Sequence, residues 1–390
     1  MATHLQTVAT QKFNCLGDAC EDTCCKGWGM QLTKETVDLY QSKAPELMQS
    51  VTSGEAEFIM RRDEKTDYCV EFQAGWCGVH KKYGSDYLGD ACHFFPRSTR
   101  ALGDITVMTM ALSCPESTRL MLTEDGAFAY HETTFERVPH SLRNYAPQEL
   151  SAEAALNIHE ICVNEMGNEA HSAERNLMRL SAMVRGLEPQ PKDQWEAAVP
   201  FYFRMAEGRI PAAELKATDP FMLLNALQGL VHSAPASPRE RLMNVIEMTA
   251  RALGVTLNWE KLILDLHPDG TQRVVNMQAW WREHGAQYQP ILRRYLQAQL
   301  RLNLFPFAGL GKTLSERVTI IAVRFATVKL ALMAACFEAQ GAIPETEVVR
   351  IVQSLSRFQD HLADSQLSLS IYEETGWTRE ARLRALVGDV

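Results

Sequence analysis

The stretch from Asn14 to Trp28, NCLGDACEDTCCKGW, carries four cysteines in eleven residues: Cys15, Cys20, Cys24 and Cys25. Cys69, Cys77, Cys92 and Cys114 follow, so eight of the ten cysteines in the chain fall within its first 114 residues. Thiolates are ligands for zinc, copper(I) and the iron of iron–sulfur clusters. The residues between these cysteines are largely glycine, alanine and charged side chains, a poor setting for inert buried thiols. Cys20, Cys24 and Cys25 can supply one arm of a metal site, and Cys69, Cys77 and Cys92 the other. Two adjacent cysteines rarely reach one ion together, so Cys24 and Cys25 are expected to divide the labour.

The spacing matches neither the paired C-x2-C zinc pattern nor the compact ferredoxin run. It also departs from the C-x3-C-x2-C signature of radical enzymes that cleave S-adenosylmethionine, since Gly27 stands where the third cysteine would be. At the level of residues alone, zinc and iron both remain open, and the centre can be a structural staple for loops or a redox or catalytic group.

Other signals are weaker. His93 beside Cys92 is a candidate ligand but reads better as a polar loop neighbour. Arg357, Asp360 and His361 share one helical surface at i, i+3, i+4, as an active-site edge or a helix-end ion pair. Trp280, Trp281, Tyr288 and Tyr295 can line a cation pocket or simply pack. GLGKT at 309–313 resembles the end of a phosphate loop, but Pro306 occupies the position of the first glycine and lacks the N–H such a loop needs. No strand leads into a G-x-G-x-x-G turn, so no Rossmann fingerprint is legible.

Around these residues the chain has 46% hydrophobic and 22% charged residues, an ordinary globular composition. The region 66–103 is dominated by loops and depends on something other than periodic structure for its order. Thr33 caps a helix expected to run to about Ser50, with Leu32 and Val37 as a hydrophobic staple. DITVMTMALSC, from Asp104, holds a short strand or two. From about residue 141 onward, helix follows helix. Leu177, Leu180, Val184 and Leu187 form one apolar stripe, and Leu223, Leu224, Leu227, Leu230 and Val231 another. Leu242, Val245, Ile246, Thr249 and Leu253 form a third, opened by a capping box at Ser237-Pro238-Arg239-Glu240 and closed by Gly254. Val348, Ile351, Val352, Leu355 and Leu362 form a fourth. Residues 271–304 make one long helix or two joined at Gly285, and Cys162 and Cys336 are buried small hydrophobes. The expected fold is mainly α: a loop-rich, cysteine-rich metal-cluster domain at 1–140, then an all-helical domain at 141–390.

A net charge of −9 argues against a non-specific nucleic-acid or anionic-membrane surface. No export signal or run of eighteen apolar residues is legible, so a cytoplasmic protein without disulfides is expected.

Several segments together resemble the flagellin lysine N-methylases: FNCLGDACEDTCCKGW, YCVEFQAGWCGVHKKYG, LGDACHFFPR and SCPES, then YLQAQLRLNLFPF and LSRFQDHL late in the chain. The first half is also similar to zinc- or iron-chelating cysteine-rich domains. The resemblance implies transfer of methyl groups from S-adenosylmethionine to flagellin lysines, with an iron–sulfur cluster, of the four-iron (4Fe-4S) type, bound by the N-terminal cysteines. Carried over, the ligands are Cys20, Cys24 or Cys25, Cys77 and Cys92, with Cys25 preferred. Cys24, Cys15, Cys69 and Cys114 are reserves, and zinc is the alternative metal. His361, Asp360 and Tyr295 are the candidate proton acceptors, and no donor-binding motif is legible. The competing function is a non-enzymatic metal-chelating or iron–sulfur redox or sensor module.

Overall fold

The computed structural model describes residues 3–53, 58–209, 220–234, 239–360, 370, 372–374 and 376–388. It is mainly helical, with a loop-rich N-terminal part bearing small sheets and a helical C-terminal part, as the pattern of the sequence predicts.

The helical part is built around Leu314–Ala339, a 26-residue helix buried along almost its whole length. It packs against Ala173–Leu187, Glu240–Ala252, Gly270–His284, Gln289–Leu302, Glu345–Asp360 and Glu380–Val387. Among the described residues it is also the one helix long and apolar enough to cross a membrane, and 94% of its apolar window lies inside the protein. Its start explains GLGKT. Thr313 is an N-cap accepting from the Glu316 N–H at 3.1 Å, and the Glu316 carboxylate returns to the Thr313 N–H at 3.2 Å, a capping box.

The predicted stripes lie on the buried faces of Ala173–Leu187, Pro220–Ser233, Glu240–Ala252 and Glu345–Asp360. Ser237 and Pro238 of the proposed capping box, and Leu362, lie outside the described residues. Residues 271–304 divide as Gly270–His284 and Gln289–Leu302, with a short 3-10 turn from Gly285 between them. One antiparallel hairpin, Val255–Asn258 with Ile263–Leu266, interrupts the otherwise helical part.

In the N-terminal part, Thr33 caps Lys34–Lys43 as expected. That helix ends early because Pro45 disfavours helical backbone at Ala44, and residues Pro45–Ser50 form a 3-10 segment instead. Leu32, Val37, Tyr40, Cys69 and Val79 centre a small separate core there. The predicted strand is Ile105–Met110. It pairs antiparallel with Arg97–Leu102 and parallel with Thr3–Thr7, and Tyr130–Glu132 completes the four-stranded sheet. The large core continues across residue 140: Phe13, Met110, Met121, Leu122 and Phe128 pack with the C-terminal helices.

Candidate metal and methyl-transfer site

The cysteine loops and the end of the Glu345–Asp360 helix enclose a cavity of about 1160 Å³. Cys15, Cys20, Cys24, Cys25, Cys77, Cys92 and Cys114 all line it. Cys69 stands behind this wall, buried in the small core, with its N–H bonded to the Cys25 carbonyl at 2.8 Å. The two arms proposed from the sequence meet at Cys25, whose thiol interacts with those of both Cys24 and Cys77.

The backbone around the sulfurs follows a recurring pattern. The Gly17 amide favours the thiolate form at Cys15, that of Asp22 at Cys20 and that of Glu71 at Cys69. The amides of His80 and Val79 do the same at Cys77, and those of Ser117 and Glu116 at Cys114. In each case one such amide belongs to the residue two positions downstream. Cys77 and Cys114 occupy the N-cap positions of Gly78–Tyr83 and Pro115–Thr123, without a side-chain cap hydrogen bond, so both residues stand at helix N-termini, where anions are favoured.

These surroundings divide the thiols. Hydrogen bonding from Cys25 lowers the Cys24 pKa against burial, and the Arg357 guanidinium adds to the effect. The same donor brings Cys77 down to about 7, helped by the His80 and Val79 amides. Cys25, which keeps its proton to donate, is pushed far up. Burial raises Cys20 and Cys69 to about 11 and Cys114 to about 12, and raises Cys15 and Cys92 as well. Among the described residues, no three His, Cys, Asp or Glu side chains are arranged to hold a single metal ion.

The helical part grips the first cysteine loop from behind. Arg357, 6% exposed, pairs with Asp22 at 2.8 Å, and Gln353 donates to the same carboxylate at 2.8 Å. Arg239 donates to the Lys26 carbonyl, and Arg241 to the Glu21 carbonyl at 2.8 Å. Arg119 pairs with both Glu21 and Glu116. Arg97 lines the cavity with its guanidinium 4.9 Å from the Phe13 ring centre.

Arg357, expected beside Asp360 and His361 on one helical surface, instead pairs with Asp22 of the first cysteine loop, and Asp360 pairs with Arg324. The sequence did not single out Arg97, Arg239 or Arg241, or the amide pattern. Cys114-Pro115 did carry a signal, because proline at a first helical position marks the preceding residue as a cap. His93 also lines the cavity, with Nδ1 3.0 Å from the Ser85 carbonyl.

The proposed proton acceptors stand elsewhere. Asp360 is buried in the helical core, paired with Arg324 at 2.9 Å. Tyr295 is fully buried close to it. Burial raises the pKa of both, outweighing Arg324 at Asp360. Neither lines the cavity, and His361 lies outside the described residues. Trp281 stacks on Tyr288 at 5.4 Å and Trp280 on His284 at 4.5 Å, as packing aromatics.

Comparison with known proteins places this geometry in context. Residues 159–379 match the family model described as the FliB lysine N-methylase C-terminal domain. A lysine-N-methylase of Salmonella typhimurium is 23% identical, over 93% of each chain. One from Salmonella choleraesuis is 26% identical over 44% of each chain. The flagellar biosynthetic protein FliU of Salmonella muenchen is 29% identical over 34% of this chain and 85% of its own. No solved structure matches. Because the family match covers more than half of its residues, the chain belongs to the FliB lysine N-methylase family.

Proposed function

We propose that this lysine N-methyltransferase moves methyl groups from S-adenosylmethionine to lysines of flagellin, in the cytoplasm, and carries an iron–sulfur cluster of the four-iron type in the cysteine-lined cavity. What supports the cluster is the convergence of seven cysteines on one cavity, with backbone amides that favour the thiolate form at several of them. Such donors stabilise thiolates over thiols and tune clusters bound by them. The donor set fits a thiolate-bound group: Cys20, Cys25, Cys77 and Cys92 would hold it, with Cys24, Cys15, Cys69 and Cys114 in reserve. When bound, it supplies the cross-link that fixes loops with little periodic structure.

The transfer itself is a displacement at a sulfonium methyl. A free lysine amine has a pKa of about 10.4 and must lose its proton before it attacks. Glu21, Glu116 and Asp22 are tied to arginines. Asp18, Asp86, Glu136 and Glu240 also line the cavity and form no ion pair among the described residues, so the acceptor we assign to that proton is one of this set. Trp76, Phe95 and Phe135 present aromatic faces to a sulfonium. Arg97 can hold the donor's carboxylate.

The test is incubation of anaerobically prepared protein with flagellin and methyl-labelled S-adenosylmethionine. Labelled flagellin lysines support the proposal. Protein with iron bound that labels no flagellin overturns it.

A further inference from the structure

Lys26 follows the Cys24-Cys25 pair and is the one lysine among the described residues lining the cavity. Its main chain is pinned on several sides. It forms a β-bridge with Tyr68, and its carbonyl accepts from Arg239 and, at 3.4 Å, from Arg357. The next residue, Gly27, has a φ of +82° that turns the chain sharply away. Only the four-carbon stem is left to move. Its Nζ lies 5.0 Å from the centre of the Tyr68 ring, which stacks on Phe72 at 4.9 Å, and both rings also line the cavity. No carboxylate pairs with this Nζ among the described residues. The Lys26 side chain therefore rests on an aromatic face beside a chamber large enough for a nucleoside donor.

We propose that Lys26 is a self-methylation site, its amine entering the cavity in the position that a substrate lysine takes. The inference rests on the proposed methyl transfer in this cavity. The Lys26 amine, once deprotonated to solvent or to a cavity carboxylate, attacks the methyl carbon of the sulfonium donor. The N–C bond forms and the S–C bond breaks. Its electron pair returns to sulfur, and the donor leaves as a neutral thioether. Methylation leaves a cation, so the Tyr68 contact survives in the product.

Anaerobically prepared protein with its metal is incubated with methyl-labelled S-adenosylmethionine, with and without flagellin, and digested for peptide mapping. The expected result is label on the peptide containing Lys26 when flagellin is absent, falling to background at that peptide in Lys26→Arg. The labelling rate per molecule is expected to be independent of dilution, as for an intramolecular transfer. Protein that labels flagellin but never Lys26 overturns the inference and leaves the proposed function standing. Protein that labels neither overturns both.

Discussion

At the level of single residues, Arg357 and His159 show what a buried charge and a buried neutral group each demand. Arg357 and Asp22 are 6% and 15% exposed and lie 2.8 Å apart. Removing one member of a buried pair leaves the other without its partner, which typically costs about 3–5 kcal/mol. Arg357→Ala is expected to destabilise the protein by roughly 3 kcal/mol, and Arg357→Ala with Asp22→Asn by clearly less than the two single changes added. Urea unfolding of the four proteins checks this, and additive losses would refute the coupling. His159 is fully buried, with Nδ1 2.7 Å from the Phe305 carbonyl. Burial, then Arg301, holds its pKa down to about 3, so it folds neutral. The unfolded chain takes up a proton near pH 6.5 that the folded chain refuses. The stability from this residue is therefore present above that pH and is lost as pH falls from about 6.5 toward 3. His159→Gln is expected to flatten the dependence of stability on pH across that window. An unchanged slope in urea unfolding between these limits would count against it.

At the scale of elements, helix ends decide more than helix interiors. Lys312-Thr313 looks like the tail of a phosphate loop, yet Thr313 and Glu316 are spent on each other at the start of the central helix. Thr313→Ala should cost about 1 kcal/mol, as N-cap losses do. It should leave no change in methyl transfer to flagellin, which an activity assay beside a thermal melt would show. Cys77 and Cys114 also stand at N-cap positions, though without a side-chain cap hydrogen bond, so replacing either would remove a proposed ligand beside a helix start. Pro45 stops the second helix short of Ser50, a boundary the apolar pattern alone overran.

At the scale of the whole molecule, the cysteine loops and the helical part are held together by guanidinium groups reaching loop carbonyls and carboxylates, and the metal is proposed to complete that union. Chelation of iron from anaerobically prepared protein is expected to bleach its visible charge-transfer colour, lower its melting temperature and abolish flagellin methylation together. Cys77→Ser and Cys92→Ser should do the same without a chelator. Colourless, iron-free protein of unchanged melting temperature and activity would overturn the cluster.

What the sequence determined by itself is the density of thiols in the first 114 residues, the mainly helical character of the rest and the broad family resemblance, because these depend on composition, period and short motifs that are local in the chain. Only the tertiary structure brought seven of the eight early cysteines, all but Cys69, to one cavity, set Arg239, Arg241 and Arg357 against the loop at 20–26, and drew Tyr295 and Asp360 into the core away from it. Asp22 and Arg357 are 335 residues apart in the chain. No local pattern encodes such a meeting: it is decided by which helices share the central Leu314–Ala339 core, and that packing exists only once the whole chain has folded.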